Sequence, residues 1–210
     1  MTQKFFFQPS YVSKFKCDGS KCDARCCKAG WEISVDAETF EQYSRLPEQK
    51  IISHVHFNDD AGEYFITPDE KKICPFLNEK KLCSIQLQHG ENFLSATCAT
   101  YPRITADFGD FFERSLAISC PVAAQMILFA NKPLKFERVD VPKNFGGKIF
   151  IQAIEATDEL RRNLIDIQTA MILILQTRTL TLDRRLILLG FFIDRLEEIF
   201  SAENCVSKIF

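Results

Sequence analysis

Cys17-Asp18-Gly19-Ser20-Lys21-Cys22-Asp23-Ala24-Arg25-Cys26-Cys27 places four thiols within eleven residues. If the stretch from Cys22 to Cys27 is helical, Cys22 and Cys26 stand at i and i+4 and share a face. Cys17 can reach back to that face across Asp18-Gly19-Ser20. Cys27 is rotated away by one residue, so it either ligates a second centre or packs inward. Lys16, Lys21, Arg25 and Lys28 surround the group, and their charge favours thiolate over thiol. A segment of this kind takes its shape from what its sulfurs hold rather than from apolar periodicity.

Working outward, a second set follows at irregular spacing: Cys74, Cys83, Cys98 and Cys120. Cys74 and Cys120 precede prolines, and Cys98 comes shortly before Pro102. Eight of the nine cysteines therefore lie between positions 17 and 120, and Cys205 stands alone, where it reads as a small buried hydrophobe. Eight thiols supply two four-thiolate centres, or one centre and a set of buried thiols. Zinc and iron–sulfur clusters both accept four cysteines. The absence of any Cys-x2-Cys knuckle counts against zinc. The run lacks a ferredoxin spacing. It also lacks the Cys-x3-Cys-x2-Cys run of radical S-adenosylmethionine enzymes, because Ala29 stands where the third cysteine is needed. His54 and His56 would share a face of a strand, and read as surface residues. His89 before Gly90 reads as a helix end, and Met126 and Met171 as core.

Composition narrows the class. The 210 residues carry 26 Lys+Arg against 28 Asp+Glu, a net charge of −2, which leaves no electrostatic footprint for nucleic acid. Phe5-Phe6-Phe7 is too short for a signal-peptide core. The longest apolar run, Leu186 to Ile193, is far below the ~20 residues that span a bilayer. A cytoplasmic protein with no membrane partner is expected. In that compartment thiols stay reduced, and clustered cysteines serve metals rather than disulfides.

The chain divides into a Cys-rich metal-binding region, residues 1–130, and a helical region, residues 131–210. In the first, Trp31 to Val35 alternates as a strand. Asp36 caps a helix from Ala37 to Leu46 that Pro47 stops. Ile73–Leu77 and Lys81–Cys83 flank a tight loop. Ile104–Phe108 and Phe111–Ile118 form a hairpin about Gly109-Asp110. Cys120-Pro121 opens a further helix. In the second region Leu160, Leu164, Ile167, Met171 and Ile174 make one helical stripe. Leu182, Leu186, Leu189, Ile193, Leu196 and Phe200 make another. Thr181 stands at the start of the second helix, and the pair reads as an antiparallel helical hairpin. The fold class expected is α+β, mostly helical, with a metal-organised N-terminal region packed on a C-terminal hairpin. There is no Gly-x-Gly-x-x-Gly turn or Walker loop, and Gly146-Gly147 is a weak signal. Spacing alone leads to a metal-bearing protein.

The ordered motifs lead further. Pro9-Ser10-Tyr11, Phe15-x-Cys17, Cys22-x3-Cys26-Cys27, Gly30-Trp31, Cys74-Pro75-Phe76-Leu77, Leu82-Cys83, Leu94-Ser95-x2-Cys98, Tyr101-Pro102-Arg103 and Leu116-x2-Ser119-Cys120-Pro121 resemble the flagellin lysine-N-methylase family, which is related to Cys-rich zinc/iron-chelating domains. The resemblance covers about residues 8 to 130. It implies methyl transfer from S-adenosylmethionine to lysine amines of flagellin, and a cysteine-bound iron–sulfur cluster, of 4Fe-4S type, with zinc as the alternative. By that resemblance Cys17, Cys22, Cys26, Cys27, Cys74, Cys83, Cys98 and Cys120 are the metal-ligand candidates. Tyr101 and Arg103 match a family motif and are the cofactor-binding candidates. Arg103 can pair with a carboxylate such as the donor's, or brace the fold beside the cluster. Members of that family are longer, so the helical region 131–210 is expected to be cut short. The alternative function is a non-enzymatic zinc- or iron-binding interaction module. Methylation needs a neutral amine, and the Phe-rich first region is expected to line an apolar slot for it.

Overall fold

The computed structural model describes residues 4–47, 49–141, 151–153 and 158–202. Cys205 and Gly146-Gly147 lie outside them. The chain forms two compact units, Met1–Gln152 and Ala153–Phe210, and the architecture is α+β.

The first unit is built on two sheets. One contains β1 (Phe5–Pro9), β5 (Arg103–Asp107), β6 (Phe112–Leu116), β7 (Phe136–Asp140) and β8 (Ile151–Ala153), in the order β7-β1-β6-β5-β8. β5 and β6 form the antiparallel hairpin expected about Gly109-Asp110, pairing Arg103 with Leu116 and Asp107 with Phe112. β1 pairs parallel to β6 and antiparallel to β7. Sequence periodicity does not reveal β1, because four of its five residues are buried in succession and such a strand does not alternate. The second sheet contains β2 (Ile33–Val35), β3 (Val55–Asn58) and β4 (Glu63–Ile66) in the antiparallel order β2-β4-β3.

Helix α1 (Tyr11–Lys14) follows β1 directly. Helix α2 (Ala37–Ser44) starts where its cap predicts: the Asp36 carboxylate accepts from Thr39 N–H at 2.9 Å. Helix α3 (Ser84–His89) ends at Gly90, which has φ +89°. Helix α4 (Ala96–Thr100) is capped by the buried Ser95 hydroxyl. Helix α5 (Pro121–Leu128) has proline in its first turn. The loop between Ile73 and Cys83 closes on an antiparallel bridge between Leu77 and Cys83.

Cys22 to Cys27 do not form one helix. Gly19–Cys22 and Arg25–Cys27 are separate 3₁₀ turns, and Asp23 (φ 60°) and Ala24 (φ 51°) between them are left-handed. Aspartate tolerates that conformation through its short polar side chain. Alanine does so here while buried, so tertiary packing sets the kink. Lys28 Nζ and Lys81 Nζ both pair with the Asp23 carboxylate, at 2.9 and 2.6 Å, and tie the kink to the Leu77–Cys83 loop.

Two cores form in this unit. Ile33, Val35, Tyr43, Ile51, Ile66, Cys74, Phe76, Ile85 and Leu94 make one, and Val12, Phe15, Leu116, Cys120 and Ala123 the other. Phe5, Phe6, Phe7, Phe108, Phe111, Phe112 and Phe136 lie on the five-stranded sheet or its β5–β6 turn. Phe5 stacks with Phe111, Phe7 with Phe136, and Phe108 with Phe111, at centroid separations of 5.8, 4.8 and 5.3 Å.

The second unit contains α6 (Asp158–Gln176) and α7 (Leu182–Ala202), which carry the two predicted stripes and contact each other. Arg185 N–H bonds the Thr181 carbonyl at 3.1 Å, and its guanidinium donates to the Leu175 carbonyl at 2.6 Å. A cation there meets the negative end of α6. No helix among the described residues is long and apolar enough to cross a membrane.

Candidate functional site

All eight cysteines of the ordered set line one cavity of about 480 Å³. That volume lies in the range of small-molecule and cofactor sites. The cavity sits where the two cores of the first unit meet: Tyr43, Cys74 and Phe76 come from one core, and Phe15 and Cys120 from the other. Of the described phenylalanines, Phe15 and Phe76 alone line it. The expectation of a slot built generally from phenylalanine gives way to a mixed aromatic wall that includes Trp31, Tyr43 and Tyr101.

Each cysteine reaches the cavity from a different kind of position. Cys17 lies in the loop after α1, and its sulfur accepts from Gly19 N–H at 3.4 Å. Cys22 ends the first 3₁₀ turn and donates to the Gly19 carbonyl at 3.2 Å. Cys26 and Cys27 share the second turn, with sulfurs 3.8 Å apart. Cys74 N–H bonds the Cys27 carbonyl at 2.7 Å, which joins the two sequence clusters through the backbone. Cys83 and Cys120 precede α3 and α5, and Cys98 lies inside α4. Caps, turns and one backbone bridge thus gather residues spread over a hundred positions.

The thiols differ in acidity. Cys27 stands between Cys26 and Cys74, and hydrogen bonding to both pushes its thiol far up. The Cys27 hydrogen bond holds Cys26 down at about 6 and also lowers Cys74. Burial raises Cys83 and pushes Cys98 up to about 12. Cys98 is exposed and lines the cavity. Asp23 is held down at about 2 by its hydrogen bonds to Lys81 and Lys28.

Among the described residues, no group of three or more His, Cys, Asp or Glu side chains is drawn close enough to hold a metal ion as it stands. Zinc and iron–sulfur clusters both take cysteine thiolates, and the eight cysteines that line this space are donors of the kind that suits either.

Tyr101 and Arg103 also line the cavity. The Tyr101 hydroxyl and Ser119 Oγ are 3.1 Å apart, and burial raises the phenol's pKa. Arg103 donates to the Phe15 carbonyl at 3.4 Å and lies over the Phe15 ring at 5.2 Å, so it braces the α1–β5 junction. His54 and His56 are exposed and stand apart from the cysteines. His56 Nδ1 meets Thr67 Oγ1 at 2.8 Å, and its Nε2 lies 3.4 Å from Glu32. Lys16, Arg25 and Trp31 line the cavity too. The sequence flagged them only as neighbours or as part of a motif, because nothing local says which side of a loop faces a ligand.

The chain is similar to a flagellar biosynthetic protein, FliU, from Salmonella muenchen, with 33% identity over 129 residues, 58% of this chain and 75% of that protein. It is equally similar, at 33% over 129 residues, to proteins named lysine-N-methylase from Salmonella typhimurium and Salmonella choleraesuis. The match spans 32% of the length of each lysine-N-methylase. No protein-family model and no solved structure matches the chain.

Proposed function

We propose, since this chain belongs to the flagellin lysine-N-methylase family, that it takes part in S-adenosylmethionine-dependent methylation of flagellin lysines in the cytoplasm, around a cysteine-bound iron–sulfur cluster. The observation that carries this reading is the convergence of all eight cysteines on one cavity that aromatic rings also line.

The chemistry sets what the cavity must do. A lysine amine has a pKa of about 10.4 and is a nucleophile only when neutral. Its nitrogen lone pair attacks the donor methyl carbon, the carbon–sulfur bond breaks, and the donor leaves as a neutral thioether while the amine proton is released. Apolar walls from Phe15, Tyr43 and Phe76 desolvate an entering ammonium and lower its pKa. Cys26, Cys27 and Cys74, already in contact through Cys27, are the first candidates to hold a cluster. Such a cluster supplies a redox-active, electron-rich centre when bound. Arg103 braces the wall on which Tyr101 stands.

The test is transfer of isotope-labelled methyl from S-adenosylmethionine to flagellin by anaerobically prepared protein, read by mass spectrometry of flagellin peptides. Methylated lysines are expected. A protein replete with iron and folded that transfers no label rejects the reading. A second reading, a metal module without transferase activity, draws on the 32% span of the lysine-N-methylases that the match covers. It predicts the same iron content but no donor binding by calorimetry.

A further inference from the structure

Gly30-Trp31 is a motif that the cysteine chemistry leaves unused. Gly30 has φ +74°, and a Cβ there would lie 2.9 Å from Lys72 Cβ. Only glycine fits without displacing that neighbour. The backbone leaving this point sets the direction of Trp31 two residues before β2. Trp31 is the single tryptophan of the chain. It remains 43% exposed on the wall of the cysteine cavity instead of filling a core. Its ring meets Tyr101 at a centroid distance of 5.8 Å and an interplanar angle of 73°.

In this edge-to-face contact one ring's edge meets part of the other's face, and the faces left uncovered form a corner beside the contact. Such corners suit sulfonium and quaternary ammonium groups, because a diffuse cation is attracted to the ring quadrupole and loses little hydration on entering. The edge of Tyr101 is steadied by its hydroxyl contact with Ser119. Arg25 lines the same cavity, and a guanidinium is the kind of partner that the carboxylate of a sulfonium amino acid needs. We propose that Trp31 and Tyr101 form an onium-binding corner of the cavity, taking the sulfonium of the methyl donor. The choice of this natural cation rests on the methyltransferase reading; the corner itself rests on the ring geometry.

Trp31 provides its own reporter. Tetramethylammonium is expected to change its emission saturably in the whole chain, whereas the neutral isostere neopentyl alcohol does not. Equilibrium dialysis with labelled tetramethylammonium extends the measurement to variants. Trp31→Leu and, separately, Tyr101→Leu are expected to weaken binding about 5- to 30-fold, while Trp31→Phe retains most of it. Circular dichroism confirms that each variant is folded, and either leucine variant suffices if the other fails. S-adenosylmethionine binding more tightly than S-adenosylhomocysteine, with Trp31 responding, is the expected result. Equal response to the neutral isostere, unchanged binding in a folded leucine variant, no Trp31 response to S-adenosylmethionine, or a Trp31 response only to a flagellin lysine peptide overturns the proposal. Methyl transfer with unaltered binding in Trp31→Leu rejects the corner and leaves the transferase reading intact. Onium binding at Trp31 without methyl transfer does the reverse.

Discussion

Replacing Asp36 is expected to destabilise the first unit well beyond the loss of one helix cap. One carboxylate oxygen accepts from Thr39 N–H at 2.9 Å and from Thr39 Oγ1 at 2.7 Å. The other accepts from Ala96 N–H at 2.9 Å, the first amide of α4, sixty positions away. Asp36 therefore caps two helices. Removing an N-cap costs about 1 kcal/mol. The fully buried Thr39 hydroxyl and the Ala96 amide each lose a partner, at about 1–2 kcal/mol apiece. Asp36→Ala should lower stability by about 3–5 kcal/mol. With a urea slope of about 2 kcal/mol/M, the midpoint falls by about 1.5–2.5 M. Asp36→Asn keeps an oxygen for one helix and turns its amide donors toward the other, so about half the loss is expected. Trp31 emission follows the first unit during the urea titration, since it is the chain's single tryptophan. A loss below about 1 kcal/mol in Asp36→Ala, or equal losses in the two variants, would refute the double-cap reasoning.

Four further outcomes follow from other contacts. Tyr43→Phe removes the 2.7 Å hydrogen bond to the Phe93 carbonyl from a side chain 1% exposed, and should cost about 1–2 kcal/mol in the same urea titration. Gly30→Ala combines a positive φ with a 2.9 Å approach to Lys72; a lowered melting temperature and a shifted Trp31 emission are expected, and an unchanged emission would show that Gly30 does not orient the indole. The Glu137 carboxyl is held below its ordinary value by hydrogen bonds from Ser13 and Gln8, so its contribution is complete above about pH 4.5 and is lost as pH falls through its lower folded value; comparing acid unfolding of the wild type with Glu137→Gln should show a shallower pH slope in the variant. Cys26→Ser and Cys74→Ser should each reduce iron content after anaerobic reconstitution, and chelator treatment of the wild type should lower its melting temperature; unchanged iron in both variants removes these cysteines from the ligand set.

The exposed face of the helical unit differs from the cysteine cavity in kind. Leu186, Ile187 and Phe191 on α7 are each more than half exposed. The periodicity that predicts the helix also predicts one apolar stripe. α7 carries more apolar residues than its contact with α6 covers.

Much of the local structure was determined by the sequence itself. Asp36 before Ala37, Pro121 after Cys120, Gly109-Asp110 between two apolar runs, and the alternating 4-and-3 spacings of α6 and α7 are short-range signals. Each acts through a cap, a fixed φ, a turn or a stripe that a few neighbouring residues define. The eight cysteines were likewise legible as a set, because thiols so concentrated in one region rarely serve packing alone. Only the tertiary structure decided how they meet. The left-handed pair Asp23–Ala24 replaces the helix that would have placed Cys22 above Cys26. The bond from Cys74 N–H to the Cys27 carbonyl joins segments 47 positions apart. The parallel pairing of β1 with β6 crosses more than a hundred residues, a contact without a local signature. Trp31 was visible as half of a motif, but its place beside Tyr101 depends on Gly30 meeting Lys72, a distance that chain order does not encode. Caps and stripes depend on neighbours in sequence; cavity walls depend on which distant surfaces pack, and that is decided by the whole fold.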